Sequence, residues 1–189
     1  DLEEGPEAAF REVSSALGYL LMASIFAFAL MNIGPVLVKL MADEAQADAA
    51  GRFVNGVVVA RIPLFLFQAV QASLLPKLSA LAHSGQLVDF RRGLKRLLVV
   101  VATLAAAGTV AGFLIGPFVV EIMFPDADLS GRTMGLLAAG SGLYMLALAC
   151  AQAVIALGGH RDQALGWAAG FTALMVTVLL VANDNLFLR

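Results

Sequence analysis

Long apolar runs separated by short polar gaps fill this sequence, and they leave it few folds to choose from. A run of about 20 apolar residues crosses the hydrocarbon of a bilayer as a helix, which satisfies every backbone N–H and C=O within the segment. Five such runs are read at about 13–41, 51–81, 94–124, 133–157 and 163–182. A transmembrane barrel would show segments of about ten residues alternating apolar and polar, and that alternation is absent. Only 14% of the residues are charged, against about 25% in soluble domains. The expected fold class is therefore all-α: a polytopic transmembrane helical bundle of about five spans.

Residues 13–182 are expected to form one bundle, preceded by a polar segment at 1–12. Within that segment Gly5 and Pro6, followed by Glu7, read as a helix start. Residues 183–189 are a terminal segment in which Leu186, Phe187 and Leu188 read as the truncated start of a further helix. The chain has no initiator Met, no signal peptide, and an apolar helix close to its last residue, so it reads as a fragment of a larger membrane protein.

Alternating spans place Arg11, Lys77, Arg91, Arg92, Lys95, Arg96 and Arg161 on one side, and Lys39, Arg52, Arg132 and Arg189 on the other. Seven cations against four make the first side cytoplasmic by the positive-inside rule, with the N-terminus inside the cell and the chain in the plasma membrane. The most basic segment, HSGQLVDFRRGLKR, contains LVDFRRGL, which reads as a short amphipathic interfacial helix. No basic cluster is large enough, or interleaved with aromatics, to point to nucleic acid. Cys150 is alone, so no internal disulfide forms; it reads as a small apolar packing residue.

The second run carries the residue that most needs explaining. Arg61 stands at mid-span, where a guanidinium costs roughly 3 kcal/mol on insertion scales. Gln68 lies seven residues on, sharing its helical face, and Gln71 lies beside them; Asn55 points well round the helix. A cation and two amides on one side suit a hydrated cavity holding an anion, the guanidinium fork matching phosphate or carboxylate. The competing reading has Arg61 paired with a carboxylate of another helix or snorkelling, purely for structure. Asn32, in the first run, either joins the cavity or bonds to a neighbouring helix. Lys39 and Glu121 read as boundary residues, with Glu121 an interfacial acid or a partner for Lys39. In the fourth run Ser141, Tyr144 and Gln152 share an arc among small residues that let neighbouring backbones approach, and read mainly as packing contacts.

Prolines supply bends, because each removes a backbone hydrogen bond and clashes with the preceding turn. Pro63 does so in the second run. Gly34 with Pro35 and Gly116 with Pro117 recur in the last third of two runs crossing in the same direction, as paired hinges or by coincidence. Enzyme signals are missing. No catalytic residue, metal site or cofactor is expected, because His83 and His160 lack ligand spacing, no acidic pair stands at mid-membrane, and no loop has phosphate-cradle spacing.

The stretch ARIPLFLFQAVQASLLPKLSAL, the basic loop after it and LLVVVATLAAAGTVAGFLIGPFVVEIMF together resemble the second half of a polysaccharide or lipid-linked oligosaccharide flippase. That family belongs to the multidrug/oligosaccharidyl-lipid/polysaccharide exporter superfamily. Its most recognisable piece here is Leu74, Leu75, Pro76, Lys77 and Leu78, with the turn Gly158, Gly159, His160 and Arg161 also fitting. The resemblance implies a transporter of twelve or more helices in two repeats, with the first half and a final helix absent from this chain. It also implies a central cavity whose basic residues, Arg61 by position, hold the diphosphate of an undecaprenyl-linked glycan. The implied partners are that lipid-linked substrate, bilayer lipids and the missing N-terminal half; the implied mechanism is alternating access. Two other readings stand beside it: a drug or cation antiporter of the same superfamily, which would favour buried carboxylates, and a non-transporting membrane scaffold that binds lipid-linked precursors.

Overall fold

The computed structural model describes the backbone of residues 7–187 and the side chains of residues 13–68, 71 and 76–181. Six α-helices follow one another: α1 (Glu7–Met41), α2 (Ala47–Ala60), α3 (Ile62–His83), α4 (Leu87–Met123), α5 (Gly131–Ala156) and α6 (His160–Phe187), with a single 3-10 turn at Glu44–Gln46 before α2. No strand occurs among the described residues, and the fold is all-α. Five stretches are long and apolar enough to cross a membrane: Val13–Met41, Glu44–Gln68, Leu87–Met123, Gly131–Ala156 and His160–Val181.

The turns follow from local chemistry. Asp43 Oδ1 accepts the Gln46 N–H at 3.0 Å and so starts the 3-10 turn, and Ser130 Oγ accepts the Thr133 N–H at 3.2 Å to cap α5. Gly85 and Gly158 end α3 and α5 at φ +71° and +80°, the left-handed conformation that favours glycine at helix C-termini. Hydroxyls along the spans bond back onto their own helices, Thr103 to Val99 O, Thr109 to Ala105 O and Thr177 to Ala173 O.

Two departures from the sequence expectation concern where helices begin and break. LVDFRRGL is not a separate interfacial helix but the first two turns of α4, which runs unbroken for 37 residues. Nothing between Arg92 and Leu97 interrupts a helix; the charges change what the helix faces, not whether it continues. The second run, by contrast, is two helices that meet at Arg61. At the other end, α6 continues through Phe187, so Leu186 and Phe187 lie in its last turn; Leu188 and Arg189 fall outside the described residues, as do Gly5 and Pro6.

The chain divides into two compact units, one of residues 1–33 and 158–189, the other of residues 34–157. Within the first, the rings of Phe26 and Phe171 pack with centroids 5.8 Å apart. Within the second, α4 and α5 share the most extensive contact, and α2 and α3 pack along both. The α4–α5 seam is built from the smallest residues. A Cβ on Gly142 would lie 2.6 Å from Ala105 Cβ, and one on Gly112 would lie 2.9 Å from both Ala138 Cβ and the Met134 carbonyl oxygen. Gly108, Gly112 and Gly116 repeat every four residues down α4, the spacing that keeps one narrow strip of helix free of side chains. Met134, Val59, Val120 and Ala127 form a buried cluster where α2 meets this pair.

Many large apolar side chains of α4 and α5 point outward, Leu114 being 76% exposed and Leu143 69%, whereas Val101, Ala149, Met134 and Met145 are buried. No polar or charged residue is buried among the described residues. An oily exterior around a closely packed glycine and alanine seam suits a protein whose solvent is hydrocarbon, where helices associate by close backbone packing.

Candidate functional site

The break at Arg61 originates in Pro63. A proline at position 63 has no N–H to give the Val59 carbonyl, and its ring disfavours helical geometry just before it. The chain responds at Arg61, which adopts φ −90° and ψ −6°, in the sparsely allowed bridge region. The Arg61 N–H is shared among the carbonyls of Val57, Val58 and Val59, with N···O distances of 3.2 and 3.3 Å to the first two. Phe65 N–H donates to the Arg61 carbonyl at 3.2 Å, so the ladder resumes one turn later. The span is thus bent at the residue carrying its only mid-span cation.

Neighbouring helices fix the level of that bend. Pro63 Cγ lies 3.8 Å from where a Cβ on Gly108 would sit, so α3 begins beside the middle of α4. A Cβ on Gly56 would meet Leu137 Cδ1 at 3.1 Å, which sets α2 against the first half of α5. Five residues beyond Gly56 is Arg61, and seven beyond Leu137 is Tyr144. Arg61 and Tyr144 lie close enough across these helices for the charge of one to be felt at the other, and both side chains are partly buried.

The residues singled out from sequence fall into different surroundings. Gln68 is exposed on α3, whereas Gln71 is partly buried, its Nε2 inaccessible and without a hydrogen-bond partner among the described residues. Asn32 belongs to the first unit, where its Nδ2 donates to Phe28 O at 2.9 Å within the same helix. Pro35 and Pro117 sit inside α1 and α4, which continue through them without interruption. Gly34 has open space around it, but a Cβ on Gly116 would come within 2.7 Å of Met134 Cβ, so this glycine makes room for a packed side chain. Lys39 and Glu121 are both exposed; Glu121 lines a shallow cleft of about 100 Å³ with Pro117, Pro125 and Asp128. Cys150, expected to pack, is exposed on α5. No group of three or more His, Cys, Asp or Glu among the described residues is placed to hold a metal ion.

Sequence reasoning passed over Tyr144 as a member of the site and assigned it to packing. Its partner lies on a helix some eighty positions earlier, and the register between those helices is set by Gly56, Gly108 and the small α4–α5 seam rather than by anything near Tyr144. The four-residue glycine repeat in α4 was the signal from which that register could have been inferred. The chain matches no protein-family model, no curated protein and no solved structure, so the residues and their geometry carry the functional reading alone.

Proposed function

We propose that this chain is part of a plasma-membrane transporter that flips lipid-linked, undecaprenyl-diphosphate oligosaccharides for polysaccharide export by alternating access, its N-terminus cytoplasmic. The observation that carries this reading is Arg61: a partly buried cation at a proline-made bend, at the level of Tyr144, within a span otherwise apolar through its middle. Non-regular backbone at membrane depth is tolerated where it is buried in protein or lines a polar cavity, and transporters place such breaks at their substrate sites. The guanidinium presents a planar fork suited to diphosphate oxygens. Tyr144 orients that fork and adds a hydroxyl donor, and Gln71 contributes an amide N–H with no protein acceptor. The headgroup enters the site while its lipid tail stays in the bilayer, and the bend at Arg61 and Pro63 moves as the cavity changes side.

The test is export of the lipid-linked glycan by cells carrying Arg61→Ala in the full-length protein, with the amount of membrane-inserted protein measured alongside. Export is expected to be lost with normal accumulation. Full export would remove Arg61 from the mechanism. Arg61→Lys should restore part of the export if charge alone matters and little of it if the bidentate geometry does.

A further inference from the structure

The densest group of cations among the described residues lies away from Arg61, at the end of the second unit where α3 finishes and α4 begins. In the first turns of α4, Arg91, Arg92, Lys95 and Arg96 are all exposed. At 3.6 residues per turn they occupy an arc of about 140°. The opposite arc is apolar and packed: Phe90 is 2% exposed, Leu97 8% and Val101 fully buried. Leu78 of α3 packs there, its Cδ2 3.2 Å from where a Cβ on Gly93 would sit, and this brings the exposed Lys77 to the same level. The four cations therefore cannot turn inward; the helix is pinned by its other side.

Their position along the helix is equally constrained. Residues 97–120 contain no charged side chain, a length sufficient to cross the ~30 Å hydrocarbon. Arg96 and Lys95 are thus the last charges before the apolar run begins and sit at headgroup depth. Between residues 62 and 97 the sequence offers five Lys and Arg (Lys77, Arg91, Arg92, Lys95, Arg96) against one carboxylate, Asp89. That carboxylate is already engaged by Arg92, at 2.6 Å. Within residues 62–97 the patch therefore keeps a positive excess, with Asp89 the only carboxylate of that stretch.

We propose that this collar is a binding surface for anionic phospholipid headgroups, which it selects over zwitterionic lipids from the surrounding bilayer. The chemistry is phosphate recognition by clustered guanidinium and ammonium groups, at the one depth where a lipid phosphodiester can reach them. Its occupant is a lipid rather than free phosphate, because the exposed apolar flank of α4 just beyond the cations, including Val99 and Val100, supplies a surface for the acyl chains. This inference does not rest on the transport reading and survives its failure.

The test is the relative association of spin-labelled phosphatidylglycerol and phosphatidylcholine with the full chain reconstituted in phosphatidylcholine vesicles. Phosphatidylglycerol should be preferred several-fold, and the preference should shrink as salt is raised. Each cation removed should lower it by up to about fivefold, so that R91Q/R92Q/K95Q/R96Q brings it near unity. Asp89→Asn, which frees Arg92 without touching a buried residue, should raise the preference and keeps the idea testable if the quadruple variant fails to insert. Equal association of the two lipids with the unaltered chain, or an undiminished preference in the quadruple variant, would overturn the proposal. So would a preference that Asp89→Asn leaves unchanged, or displacement of the lipid by inorganic phosphate at constant ionic strength.

Discussion

Two glycines in one turn of α5, on opposite sides of the helix, separate packing from propensity. A methyl group added at Gly142 would lie 2.6 Å from Ala105 Cβ and 3.1 Å from Ala105 Cα, whereas one added at Gly140 meets nothing within 4 Å. Neither Ala105 atom can swing aside, since both are fixed to the α4 backbone. To restore an ordinary carbon–carbon separation of about 3.5–4.0 Å, α4 and α5 must part locally by about 1 Å. A gap of that size forfeits roughly a quarter to a half of the dispersion energy of each contact lining it, and overpacking of this kind costs about 1–3 kcal/mol. Both substitutions gain the same ~0.5–1 kcal/mol from replacing glycine inside a helix. Gly140→Ala should therefore be slightly more stable than the natural chain, and Gly142→Ala less stable than Gly140→Ala by about 1–3 kcal/mol. Unfolding in mixed detergent micelles, followed by loss of helical circular dichroism, measures that difference. Equal stability of the two variants would mean that Gly142 faces lipid, and the account of the α4–α5 seam would be wrong.

Further outcomes follow from the bend at Arg61. Tyr144→Phe should weaken export less than Arg61→Ala does, and the double variant should be no worse than Arg61→Ala alone; additive effects would place the two residues in separate roles. Pro63→Ala returns a donor to the Val59 carbonyl and should straighten the span, slowing amide exchange around residues 59–63 while lowering export. Unchanged exchange in that variant would locate the origin of the bend elsewhere.

The spans were legible from sequence because hydropathy acts over twenty residues and needs no partner: four of the five runs each correspond to one helix, and the second corresponds to α2 and α3 together. A break in the helix beside Pro63 was also legible, since the lost N–H is a local fact. The glycine–proline pairs show where local reading stops. Gly34 and Gly116 look alike in sequence, yet one has open space around it and the other is filled by Met134, a distinction that depends on which helix packs alongside. Taking LVDFRRGL for its own element had the same origin: a change from polar to apolar surroundings was read as a change of element, although the helix runs on through it. The proximity of Arg61 and Tyr144 was the least accessible, because inter-helix register is decided by the smallest side chains, which carry almost no hydropathy signal.

The hydroxyl-bearing residues of α4 and α6 alter how such a surface is to be read. Thr103, Thr172 and Thr177 are exposed, and each donates its hydroxyl hydrogen bond to the carbonyl four residues earlier. A threonine spent in this way offers outward mainly its methyl group, and to the acyl chains around it behaves much like valine. Thr along these spans therefore traces no wet path through the protein, and polar groups such as the Gln71 amide, with no acceptor among the described residues, mark the less satisfied places in it.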